Sequence, residues 1–198
     1  MKKSVPVIIH DASVTQEMLD EVCAQIVKEI ITDGMTVPEQ LKAVYTFVKR
    51  KFKYSNEGIH DDERLRGYQA LTELKTGDCF YYCCAAKALL TYMGYDTITV
   101  RRDLVQTKVK SNHFWLLVNC GTKEEPAWYH FDATPQGSSY YRQTYMLTDA
   151  QVEAFSLFHK ETIKTKNNSY YYVYDKSLYP ASATEIIYDL KIDEKYYN

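Results

Sequence analysis

The sequence predicts an α+β domain, with helices in the first half and an antiparallel sheet after them. Three observations carry this reading. Apolar residues recur at helical spacing from Val14 to about Met93. After Gly94 the period changes from 3.6 to 2, and the segments there are rich in β-branched and aromatic residues. The two kinds of element follow one another in blocks and do not alternate, which argues against a parallel βαβ sheet.

From Val14 to Ile31 the apolar residues Met18, Leu19, Val22, Cys23, Ile26, Val27 and Ile30 form a wide stripe, and Gly34 follows as a stop. Thr36-Val37-Pro38-Glu39 reads as a capping box, with proline allowed in the first turn. Leu41, Val44, Tyr45, Val48 and Phe52 are the expected buried face of this second helix. A polar loop over Ser55–Arg66 leads to a short helical piece around Gly67–Leu74. Asp78 is then a plausible N-cap for a helix from Cys79 to about Met93, stopped by Gly94. That helix is apolar nearly all round, so it is expected at the centre of the core.

Strands are expected at Thr97–Asp103, His113–Asn119 and Trp128–Asp132. The last two are joined by the glycine-containing connection 120–126. Further on, Thr148–Lys160 reads as a helix and Tyr170–Tyr174 as a strand.

Composition narrows the function. The 198 residues suit a single domain, 45% of them hydrophobic and 25% charged. A formal net charge of −2 gives no electrostatic reason to expect nucleic acid or an anionic membrane as partner. The one dense basic run, Lys49-Arg50-Lys51, falls at a helix end, where cations complement the dipole. No stretch approaches the roughly 18–20 apolar residues of a membrane span. The positive start has too short an apolar run for a signal peptide, whose core needs about 7–15 residues. The chain is therefore expected to be cytoplasmic, or a mature domain separated from its export segment.

Five cysteines (Cys23, Cys79, Cys83, Cys84 and Cys120) leave at least one thiol unpaired. Cys79 stands out because it opens a helix. Unpaired N–H groups and the positive dipole end there favour a thiolate, predicting a pKa below the ordinary value of about 8.5. Cys83 and Cys84, inside the same helix, read as inert core thiols.

A partner for Cys79 comes from the hairpin. A register in which paired numbers sum to 245 puts Asn119 opposite Pro126 and His113 opposite Asp132, on one face and close enough to bond. A slip of one residue would put the two on opposite faces. Cys79 is then the candidate nucleophile, His113 the proton shuttle and Asp132 the group that orients the imidazole. His130, two residues before Asp132 and on its face, is the alternative base. His10, His60 and His159 read as solvated. Cys79 and Cys83 lie one helical turn apart, but no complementary Cys or His pair follows, so no zinc site is expected. No phosphate-binding loop or EF-hand is present, and no cofactor is expected.

Three blocks carry a resemblance. They are Gly77-Asp78-Cys79-Phe80-Tyr81-Tyr82 with its alanine-containing helix, His113-Phe114-Trp115-Leu116-Leu117-Val118, and Trp128-Tyr129-His130-Phe131-Asp132-Ala133-Thr134. In order and spacing they resemble the transglutaminase-like superfamily, whose fold is related to that of papain-like cysteine proteases. The resemblance implies a papain-like/transglutaminase core in one domain, 1–198. Residues 1–35 would be an N-terminal helical segment, 36–135 the catalytic core and 136–198 a Tyr-rich C-terminal extension. It also implies a Cys79-His113-Asp132 triad acting on amide bonds of protein or peptide substrates, cell-wall peptides among them. Hydrolysis is expected ahead of amine crosslinking, and a catalytically silent binding module at the cell surface is the alternative.

For the oxyanion, papain-like enzymes use a glutamine side chain, for which Gln69 is the nearest upstream candidate; the Cys79 backbone N–H is the preferred donor. Nothing resembles the calcium segments of animal tissue transglutaminases. Many bacterial proteins resembling this domain are secreted or surface-attached, which implies an extracellular home. The chain has nineteen tyrosines, and Tyr140, Tyr141, Tyr170, Tyr171, Tyr172, Tyr174, Tyr179, Tyr188, Tyr196 and Tyr197 crowd its C-terminal third; they read as strand filling and surface, with an aromatic binding surface as the functional alternative.

Overall fold

The computed structural model describes residues 14–107, 111–135, 144–162 and 171–190, with the side chains of 159–162 excepted. Four helices come first: α1 (Gln16–Ile30), α2 (Val37–Lys51), α3 (Glu63–Thr72) and α4 (Cys79–Tyr92). Each start has a local cause. The Thr15 hydroxyl accepts from the Met18 N–H, and the Asp62 carboxylate accepts from the Leu65 N–H. At α2 the Glu39 carboxylate accepts from both the N–H and the hydroxyl of Thr36. The cap at Asp62 starts α3 four residues before the expected Gly67 and shortens the polar loop.

The buried face of α2 is the expected one. Helix α4 is the centre of the molecule. Every residue from Cys79 to Ala86 is buried, as are Leu89 and Leu90, and α1, α2 and α3 all pack against it. It stops at Gly94, whose φ of +92° suits glycine.

A two-stranded parallel ladder that the sequence did not suggest joins β1 (Lys53–Tyr54) to β2 (Thr76–Gly77). It ties the end of α2 to the start of α4, with Lys53 N–H on Lys75 O and Ser55 N–H on Gly77 O. Glycine relieves crowding at 77: a Cβ there would lie 2.8 Å from Leu74 Cδ2 and 3.0 Å from Tyr81 Cβ.

The main sheet is an antiparallel meander of β3 (Thr97–Arg101), β4 (Phe114–Asn119), β5 (Trp128–Phe131) and β6 (Tyr145–Leu147). Its first three strands match the expectation in place, and β6 is additional. A short helical turn, α5 (Leu104–Thr107), follows β3, and α6 (Asp149–Thr162) follows β6. Strand β4 is buried on both faces. Phe114, Leu116 and Val118 join the core built on α4, whereas Trp115 and Leu117 join a second core with Val152, Phe155, Tyr172 and Tyr174. The sheet is therefore covered on both sides.

The hairpin register differs from the expected one by two residues. Leu116 pairs with Phe131, Leu117 with His130 and Asn119 with Trp128, so paired numbers sum to 247. The turn decides this. Cys120 N–H bonds Ala127 O, and the Asn119 side-chain oxygen accepts from the N–H groups of Gly121 and Ala127. Pro126, placed opposite Asn119 by the other register, has no N–H to offer. Parity survives a two-residue shift, so His113 and Asp132 keep a common face but meet as diagonal neighbours.

Of the expected strand Tyr170–Tyr174, Tyr170 lies outside the described residues and 171–174 is not a strand. It is an irregular segment held by Asp103 N–H on Val173 O and by Tyr172 N–H on the Ser156 hydroxyl. A 3-10 turn, Lys176–Leu178, follows.

The central place of α4 gives a stability prediction. Leu89 is fully buried, so Leu89→Ala should cost about 2–5 kcal/mol, read as a lowered denaturant midpoint.

Candidate active site

The three candidate residues come from three elements that meet at one end of the sheet. Cys79 is the first residue of α4, and the Asp78 carboxylate caps that helix by accepting from the Phe80 N–H at 3.1 Å. The thiol is bracketed by the backbone on either side of His113. Cys79 Sγ lies 3.9 Å from the carbonyl oxygen of Asn112, and the Phe114 N–H is directed at the sulfur. Among the described residues the N–H of Cys79 itself makes no hydrogen bond.

His113 Nε2 and Asp132 Oδ2 are 2.8 Å apart, both buried. With Nε2 engaged, Nδ1 is the ring nitrogen left to take a proton. Burial works to raise the Asp132 carboxyl, but His113 and the Thr134 N–H, which donates to Oδ1 at 2.9 Å, hold it below the usual range.

One further partner was not legible in the sequence. The Tyr172 hydroxyl donates to Asp132 Oδ2 at 2.8 Å, and the Tyr171 ring meets the His113 ring edge-on at 4.6 Å. Tyr172 is a buried and Tyr171 a half-buried partner of the His–Asp pair, not strand filling or surface; a lone phenol at unknown register gives no sequence signal for such a contact. Tyr140, Tyr141, Tyr196 and Tyr197 lie outside the described residues.

The Cys79 thiol departs from expectation. Burial, then the neighbouring Asp78 carboxylate, push it up to about 12, against the opposing pull of the Phe114 N–H. Helix position alone does not win here: the side chain is 4% exposed, and losing water outweighs a partial dipole charge. Cys23 and Cys120 are likewise pushed up to about 12 by burial, and all five cysteines are free.

His130 belongs to a separate network. Trp115 Nε1–H donates to its Nδ1 at 2.9 Å, so its ring proton sits on Nε2 and goes to Asp149 at 2.8 Å. The Tyr174 hydroxyl donates to the same carboxylate at 2.7 Å. Burial keeps His130 below the usual imidazole range. Both nitrogens are occupied, which leaves none to accept a proton from a thiol.

His60 is not simply solvated. Its Nε2 bonds Asp78, and its ring packs on Phe80 and Phe114. His10 and the side chain of His159 lie outside the described residues. Gln69 sits in α3 with its carboxamide oxygen held by Arg66 Nη1 at 2.8 Å, and no hydrogen bond joins it to Cys79. No cluster of three or more metal-ligating side chains occurs among the described residues.

A family model described as the transglutaminase-like superfamily matches residues 24–133, more than half of the chain and a span that includes Cys79, His113 and Asp132. The chain belongs to the transglutaminase-like superfamily. Its α+β architecture agrees with a transglutaminase-like fold, and the family points in general to cysteine-based acyl transfer. A solved structure described as "Crystal structure of a TGase" matches at 18% identity over 67% of this chain, with a TM-score of 0.44. The match spans 38% of that structure's chain. No curated protein matches. Tyr171, Tyr172 and Tyr174 lie beyond the stretch matched by the transglutaminase-like family model.

Acid stability follows from these pairs. His130, depressed in the folded state, contributes stability that is present above the ordinary imidazole value of about 6.5 and lost as pH falls toward its folded value. Asp132, also depressed, contributes stability present above about 3.9 and lost as pH falls through its folded value. Denaturant midpoints from pH 7 to 3 should therefore fall in two stages. Tyr172→Phe should cost about 1.5–3 kcal/mol at neutral pH and flatten the lower stage.

Proposed function

We propose that this protein transfers acyl groups from amide bonds of proteins or peptides through a thioester on Cys79, with water as the main acceptor. The observation that carries the proposal is the 2.8 Å His113–Asp132 bond beside a thiol bracketed by the backbone of Asn112 and Phe114.

In this reading the Cys79 sulfur attacks the amide carbonyl carbon while its proton passes to His113 Nδ1. Asp132 holds the ring in place and stabilises the imidazolium. The carbonyl oxygen gains negative charge and takes a hydrogen bond from the Cys79 N–H, which has no partner among the described residues. The C–N bond then breaks as His113 returns its proton to the leaving amine. Water attacks the thioester, its proton goes to His113, and the acid departs as the sulfur recovers that proton. An amine in place of water would give a new amide. Hydrolysis is the favoured branch because aminolysis needs a dedicated site that excludes water. Gln69, bound along its own helix by Arg66, has less support than the Cys79 amide as oxyanion donor.

One observation favours a second reading, a binding module that keeps the fold without turnover: Cys79 and His113 are each only 4% exposed. Thiol reactivity separates the two. Cys23, Cys79 and Cys120 share a thiol pushed up to about 12, so any preference for Cys79 has to come from a nearby base.

With iodoacetamide near neutral pH and peptide mapping, Cys79 should label faster than Cys23 or Cys120. His113→Ala should slow that labelling by about 10²-fold. Equal rates in both proteins would support the silent module. Incubation with a glutamine-containing protein and a labelled primary amine, read by mass spectrometry, then separates cleavage from amine incorporation.

A further inference from the structure

Among the described residues, Arg102 is a buried cation with no ion-pair partner. It follows β3 and is 6% exposed. Its backbone N–H donates to the carbonyl of His113 at 2.9 Å. Among the described residues its guanidinium donates only to neutral oxygens: Nε and Nη2 to Tyr171 O at 3.2 and 3.1 Å, and Nη1 to Ser111 O at 3.2 Å and Ser111 Oγ at 3.5 Å. The group also lies over the Tyr171 ring, 5.5 Å from its centre. No carboxylate among the described residues stands within ion-pair distance of it.

Carbonyl dipoles satisfy the donors of a guanidinium but leave its charge unanswered, and burying an uncompensated charge costs several kcal/mol. Those bonds place it next to two acidic groups: Ser111 precedes Asn112, whose carbonyl oxygen stands 3.9 Å from Cys79 Sγ, and Tyr171 precedes Tyr172, whose hydroxyl donates to Asp132 at 2.8 Å. Of these, Asp132 already carries charge at neutral pH, and Cys79 acquires it during the reaction proposed above.

The setting of Cys79 makes that cation matter. Asp78, at the cap of its own helix, and Asp132, from the end of β5, both oppose a second negative charge. Tyr54, from β1, adds no cation, and His60 is bonded to Asp78. His113 becomes positive only by taking the proton itself. Two arginines carry permanent positive charge here: Arg101, exposed to solvent, donates to the Asn112 side-chain oxygen at 3.1 and 2.9 Å and lies over the Phe114 ring, and Arg102 is the buried, less screened one.

We infer that Arg102 is a positioning residue for the Cys79 chemistry, holding a fixed, buried positive charge on the 111–113 segment that flanks the thiol, so that the thiolate can form despite the Asp78 and Asp132 carboxylates. The inference rests on the reading of Cys79 as nucleophile. The same guanidinium holds the Tyr171 carbonyl, and so the segment from which Tyr172 reaches Asp132. Charge and scaffold are thus both in one side chain, and the test has to separate them.

The experiment is the rate of iodoacetamide labelling of Cys79 against pH in the full chain, with melting temperature recorded for each variant. Arg102→Gln should move the midpoint of the rate profile to higher pH by about one unit. Arg102→Lys keeps the charge and loses the fork, so it should keep the wild-type midpoint while melting lower. Should Arg102→Gln not fold, the same change in an Asp132→Asn background removes both buried charges. The double variant should still show the upward shift relative to Asp132→Asn alone.

A folded Gln variant with the wild-type midpoint, or a Lys variant shifted as far as the Gln variant, would overturn the inference and leave Arg102 as scaffold. The reading of Cys79 fails separately, if wild-type Cys79 labels no faster than Cys23 and His113→Ala changes nothing.

Discussion

A carboxylate buried under the sheet has to be satisfied, and in this molecule the requirement falls on Asp132. Burial raises its carboxyl, while three donors from three parts of the chain bring it back down: His113 before β4, the Thr134 N–H just after β5 and the hydroxyl of Tyr172 near the C-terminus. Its own backbone is bonded in both directions to Thr144, before β6. Elements far apart in sequence are thereby fixed around one charged group. The His113 imidazole inherits its orientation from that arrangement.

The second constraint is the placement of α4. A helix apolar on every side can only sit in the centre, and α1 to α3 together with the Phe114 face of the sheet enclose it. Its N-terminus is pinned by the β1–β2 ladder and by a glycine that no larger residue could replace without displacing Leu74 or Tyr81. The thiol therefore arrives beside Asn112 and Phe114 as a consequence of core packing. That same packing removes water from the sulfur and leaves a protonated thiol at rest, so the reading of Cys79 as a nucleophile needs His113 and a nearby cation.

Much of this was legible in the sequence, because much of it is local. Caps at Thr36 and Asp78, the stop at Gly94 and the change of period after it are decided within a few residues. Hairpin parity was legible too, because it depends only on alternation. The absolute register was not: the Asn119 side chain sets it by bonding two backbone groups across the turn. Tyr172, Tyr174 and Arg102 escaped notice for a related reason. Their partners lie 40, 25 and 69 residues away, and nothing in the local pattern of a tyrosine or arginine records such a partner. The Cys79 thiol was misjudged because the dipole at a helix start is visible in sequence and the depth of burial is not.

The central claim is that Cys79 carries the acyl group. Rapid acid quench of the protein mixed with an excess of a small activated acyl ester, followed by peptide mapping, tests it most directly. The account predicts a hydroxylamine-sensitive acyl adduct on the peptide containing Cys79, absent in Cys79→Ala and accumulating more slowly in Asp132→Asn. No adduct on that peptide, or equal acylation of Cys23 and Cys120, would contradict it.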